Sequence, residues 1–143
     1  MGNLLRKNLK DNWLACYDQD MYQLGEIFNW AYELGYDMPT YIKTFMESDF
    51  REAMDEWHGI WSNGPVPVVE KEFSDNFGPF KKSNICYPHL CIKWIGEAYA
   101  YLHYYTSLSS KELYSILPFE EMLARYTVGH EMSFESWARH LCT

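Results

Sequence analysis

Cys86, His89 and Cys91 stand together in CYPHLC, and thiolate and imidazole are the ligand types a divalent metal such as zinc takes. The run lacks the paired C-x-x-C or H-x-x-x-H spacing, and in helical geometry Cys91 lies about 140° around from Cys86. The pattern therefore predicts small apolar thiols and a helix-start histidine, with no metal site and no cofactor. Cys16, Cys86, Cys91 and Cys142 complete the thiols, three of them inside apolar stretches. They are expected to be buried and free, without the exposed, electropositive setting that a nucleophilic cysteine requires.

Acid–base chemistry has better candidates. Glu97 and His103 fall on the minor arc of an otherwise apolar helical stretch, where partial burial would shift their titration. They are about 120° apart around that helix, and Lys93 is an i,i+4 partner for Glu97. His130 follows Gly129 in YTVGHEMS, a connection where loop side chains often bind ligands. Glu97, His103 and His130 thus define one possible ligand pocket, the alternative to a non-catalytic chain. The P-loop, G-x-G-x-x-G, G-x-S-x-G and H-E-x-x-H patterns are absent, which removes the common nucleotide, hydride and hydrolase signatures. No residue is assigned a catalytic role.

The elements that must carry these groups read as helices. Residues 19–34 (QDMYQLGEIFNWAYEL) are amphipathic, with Met21, Leu24, Ile27, Phe28, Ala31, Tyr32 and Leu34 on one side and Glu26, Asn29 and Glu33 opposite. Asp18 or Asp20 is a candidate cap, and Gly35 a candidate stop. Tyr22 and Trp30 break the pattern by projecting from the polar side. Asp37 with Pro39, then Ser48 with Asp49, predict two short helices or one bent one over 39–58. From 59 to 85 the Gly- and Pro-rich chain predicts a long irregular loop, in which VPVVE is at most a short extended segment. At its mouth Trp57, His58 and Trp61 form a further aromatic group.

A long helix over 88–108, opened by Pro88, is expected at the centre of the fold because its apolar arc is wider than a surface helix needs. It contains WIGEAYAYLHYYTSL, the densest aromatic run in a chain with 18% Phe, Trp and Tyr. Gly96 and Ala100, one turn apart, leave room for a second backbone. The capping box Ser109/Glu112, Pro118 and Ser133 then mark three short helices. The expected architecture is all-α, one compact domain over residues 1–143.

Charge narrows the partners. The net charge is −8, and residues 18–58, with two cations and ten anions, hold the equivalent of all of it. No cluster of Lys and Arg exceeds two adjacent residues, so direct binding of nucleic acid is not expected. No apolar run approaches a membrane span, and MGNLLRKNLKDNW has neither a secretory h-region nor a myristoylation pattern, so a cytoplasmic chain without membrane contact is expected. Acidic surface beside the off-pattern Tyr22 and Trp30, together with Trp57 and Trp61, suits a protein partner of basic character. A mimic of nucleic acid is a further alternative. The oligomeric state stays open.

The stretch IGEAYAYLHYYTSLSSKELYSILPFEEMLARY with His130 resembles a group of small uncharacterised bacterial proteins sharing an aromatic helix, an S-K-E cap, P-x-E-x-M and a late Gly/His turn, and YIKTFMESDFREAMDE resembles their N-terminal half. The resemblance implies an accessory or regulatory role of the kind encoded near toxin–antitoxin-like loci. It assigns no catalytic residues.

Overall fold

The computed structural model describes residues 11–57 and 60–143, and side chains over 17–56 and 61–143. The fold is all-α. α1 spans Asp11–Glu33, α2 Met38–Met46, α3 Asp49–Trp57, α4 Ile60–Asn63, α5 Val66–Phe77, α6 Cys91–Thr106, α7 Ser110–Ile116, α8 Phe119–Gly129 and α9 Phe134–Leu141.

Short-range capping sets most of these boundaries. At the end of α1, Gly35 takes φ +89°, Tyr36 N–H reaches Ala31 C=O at 3.3 Å and Gly35 N–H reaches Tyr32 C=O at 3.0 Å, the two bonds of a Schellman stop. Asp37 accepts from Thr40 N–H ahead of Pro39 in α2, and Ser48 accepts from Arg51 N–H to open α3. The Ser109/Glu112 capping box is complete, with bonds of 3.1 and 2.9 Å. Ser133 caps α9 through Ser136 N–H.

α1 and α6 form the central pair and run antiparallel. Tyr17 meets Tyr101, Gly25 meets Gly96, Glu26 meets Lys93, and the Tyr32 hydroxyl accepts from Tyr87 N–H. At the crossing a Cβ on Gly96 would lie 2.7 Å from Leu24 C=O and 2.8 Å from Gly25 Cα, so only glycine permits the approach. Aromatic rings fill the space on either side. Phe28, Tyr41, Phe45, Phe73 and Phe80 interlock between α1, α2 and α5. Trp94, Tyr126, Phe134 and Trp137 do so between α6, α8 and α9.

Three expectations change. The 59–85 segment is not one irregular loop, because α5 occupies Val66–Phe77 with Pro67 in its first turn. Proline there is preorganised for a helix start, and Val69, Glu70 and Phe73 turn inward at helical spacing. α1 begins well before residue 19, so Asp18 and Asp20 are interior helix residues rather than caps. α6 opens at Cys91, not Pro88. Leu90 takes φ +65° just before it, while Tyr87 N–H and His89 C=O are held by Tyr32 and Tyr126. The minor arc of α6 is covered as the Gly96/Ala100 spacing implies, with Gly96, Ala100 and Tyr104 all buried there.

Candidate docking surface and buried charge cluster

The structure gives Glu97, His103 and His130 three different sets of partners. Glu97 lies at the α1–α6 seam, 3.5 Å from Lys93, which also reaches Glu26 at 3.5 Å. Burial pushes the Glu97 carboxyl up and Lys93 pulls it down, with a net rise. His103 faces α3 and α7: Nδ1 is 2.7 Å from Leu108 C=O and Nε2 is 3.8 Å from Asp55 Oδ1. His130 is exposed at the end of α8, where Nδ1 lies 2.7 Å from Tyr126 C=O and the ring stacks on Tyr126 at 4.3 Å. A cavity of about 100 Å³ between α2, α3 and α7 and an open recess of about 440 Å³ at Tyr36, Ser74, Phe80 and Lys82 are both lined by other residues.

The strongest electrostatic feature was not legible beforehand. Arg51 of α3 is fully buried and pairs side-on with Asp20 of α1, Nη1 to Oδ1 at 3.0 Å and Nη2 to Oδ2 at 2.9 Å. Its Nε donates to the Ser110 hydroxyl at 3.0 Å and lies 3.3 Å from Asp55 Oδ1. Asp55 in turn accepts from Ser110 N–H at 2.8 Å and from the Ser110 hydroxyl at 2.9 Å. Burial alone would drive the proton off the guanidinium, but Asp20 and Asp55 outweigh it and hold the Arg51 pKa above its ordinary value. The cluster joins α1, α3 and α7 by a buried ionic core, a structural arrangement in which each nitrogen of the guanidinium donates to an internal partner. The available signal was Arg51 within FREAMDEW, an arginine on the same helical side as Phe50 and Met54.

The cysteines divide. Cys91 is buried and desolvation pushes its thiol up to about 11, whereas Cys86 is exposed, against the expectation of burial. In the segment 84–87 Asn84, Ile85 and Cys86 are exposed and Tyr87 is half-buried, its ring against Tyr32 and Phe119. Among the described residues no group of three or more His, Cys, Asp or Glu is placed to hold a metal ion. Nor, among them, is any helix long and apolar enough to cross a membrane.

The off-pattern aromatics separate in the same way. Trp61 is half-buried, stacked on Phe50 with ring centres 5.2 Å apart, and its carbonyl accepts from Gln23 Nε2 at 2.9 Å, so it serves packing. The Trp57 side chain and His58 lie outside the described residues. Tyr22 and Trp30 remain at the surface, 56% and 39% exposed. They belong to one stripe of α1, in which Asp18, Tyr22, Glu26, Trp30 and Glu33 follow at intervals of about one turn and alternate acid with aromatic. The opposite side of the same helix, Leu24, Ile27, Phe28 and Ala31, is wholly buried. No protein-family model, curated protein or solved structure matches this chain.

Proposed function

We propose that this chain is a non-catalytic protein-interaction module that docks a basic partner on the outer stripe of α1. The observation that carries the reading is the exposure of Tyr22 and Trp30 on a helix whose inner face is already saturated. Large aromatics held rigid by a helix and set among carboxylates have the make-up of an interface anchor, in which the ring supplies buried area and the charge supplies steering. Asp18, Glu26 and Glu33 select against acidic partners and against nucleic acid. An accessory or regulatory role, acting by occupying another protein, accords with such a surface.

The test is affinity capture with the wild-type chain and with Tyr22→Ala/Trp30→Ala, followed by identification of the retained proteins by mass spectrometry. A basic protein retained by the wild type and lost by the double variant, with both chains equally folded by circular dichroism, supports the reading. Equal retention by the two chains overturns it, as does a chain that retains nothing and sediments as an inert monomer.

A further inference from the structure

Across the seam from this stripe lies a second set of groups. Glu26 and Trp30 are one turn apart on α1, and Lys93 and Leu90 are about one turn apart along α6 and its entry. The helices are antiparallel and Lys93 pairs with Glu26, so both steps lead in the same direction and put Leu90 and Trp30 at the same level of the seam. Leu90 is 52% exposed and is held at φ +65°, a left-handed conformation that an apolar branched residue rarely adopts and that keeps it out of α6. Glu26, Lys93 and Glu97 sit between, each about a quarter to a third exposed, with two carboxylates sharing one ammonium. One negative charge is left over in a half-desolvated position, where a partner's cation gains more than it would in open solvent.

We infer that the docking surface straddles the α1–α6 seam and takes a helical segment of a partner protein carrying an arginine between two apolar side chains one turn to either side. The inference rests on the docking reading of α1 and specifies its occupant. Tyr22, Glu26 and Trp30 repeat every four residues over about 12 Å, so a helix laid alongside with apolar, Arg and apolar residues at i, i+4 and i+8 keeps register with them. The arginine meets Glu26 and Glu97, for which its planar, weakly hydrated guanidinium is better suited than an ammonium. The apolar residue beyond it rests on Trp30 and Leu90. A second copy of this chain fits poorly, because the stripe would set acid against acid.

The probe is a 16-residue alanine-based helical peptide with Leu at i and i+8 and Arg at i+4, compared with peptides that carry Gln or Glu at the central position. Binding is followed by amide chemical shifts and by Trp fluorescence at low and high salt. The expected result is saturable binding of the Arg peptide at least tenfold tighter than that of the Glu peptide, with shifts concentrated in residues 18–34 and 89–97. Glu26→Gln/Glu97→Gln should abolish the preference for Arg and flatten the salt dependence, and Leu90→Ala should weaken all three peptides alike. If Trp30→Ala weakens binding while the Gln variant leaves the Arg preference intact, the seam inference is overturned and the docking reading stands. If Tyr22→Ala/Trp30→Ala changes nothing, both fall. No binding of the Arg peptide, or a dimer in sedimentation that buries Trp30, also overturns the inference.

Discussion

Arg51 and Asp20, 31 residues apart in sequence, meet through two near-parallel hydrogen bonds of 3.0 and 2.9 Å in a site closed to solvent. Their geometry ties α3 to the central helix α1, and Asp55 with Ser110 extends the tie to α7. Asp20→Ala should therefore strand a buried guanidinium and lower the free energy of unfolding by about 3–5 kcal/mol. Asp20→Ala/Arg51→Met, which removes both charges, should be less destabilised than Asp20→Ala alone. Urea denaturation of the wild type, Asp20→Ala, Arg51→Met and the double variant measures the coupling; a loss below about 1 kcal/mol for Asp20→Ala would show that the pair is not a structural tie.

The crossing of α1 and α6 makes a sharper steric prediction. A methyl at position 96 would press on three backbone atoms of α1 within 2.9 Å, whereas one at position 25 meets the Glu97 Cγ at 2.8 Å and a single backbone atom, Lys93 C=O, at 3.0 Å. Gly96→Ala should cost about 1–3 kcal/mol, and Gly25→Ala less. Thermal melts rank the two, and the reverse order would contradict the packing.

Thiol chemistry separates the exposed cysteine from the buried one. With iodoacetamide at pH 8 the folded chain should be alkylated at Cys86 within minutes and spared at Cys91, whose thiol is both inaccessible and held protonated by a value raised to about 11. Peptide mapping reads this directly. The sign of the linkage follows: the folded state holds the Cys91 proton more tightly than the unfolded chain, whose thiol keeps the ordinary 9.0, so this contribution to stability is complete below about pH 9 and lost as pH rises toward 11. Cys91→Ala should flatten the alkaline limb of a stability-versus-pH curve in that window.

Ser109→Ala removes one half of the capping box at α7 and should cost about 1 kcal/mol, with Glu112→Ala costing less because only the reciprocal bond is lost. Chemical denaturation measures both. Equal and negligible effects would mean that tertiary packing of Leu113 and Tyr114 alone holds α7 in place.

Much of the helical plan was legible because its signals act within a turn or two. Gly35, Asp37 with Pro39, Ser48, the Ser109/Glu112 pair, Pro118 and Ser133 each satisfy or end nearby backbone bonds, so their meaning travels with the local sequence. The same locality misleads at α5, where the density of Gly and Pro over 59–85 predicts a loop although Pro67 sits in a helical first turn. It misleads again at Leu90, whose left-handed backbone is sustained by bonds from Tyr32 and Tyr126, far away in the chain. Of the residues singled out for chemistry, Glu97 does pair with Lys93 as its spacing suggested. His103 acquired a neighbour, Asp55, that no spacing rule links to it.

The amino-acid sequence by itself determined the all-α class, most helix ends, and the close approach permitted at Gly96, since propensity, capping and side-chain size are properties of a residue and its near neighbours. Only the tertiary structure decided which charges are internal and which aromatics are left over. Asp20, Arg51 and Asp55 look like surface charge until α1, α3 and α7 close around them, and Trp61 looks available until Phe50 covers it. Tyr22, Trp30 and Leu90 stay exposed while the inward apolar residues of the two helices, Leu24, Ile27, Phe28 and Ala31 of α1 and Ile95, Ala98 and Leu102 of α6, are buried. Burial is a sum over distant segments, and no local pattern contains it.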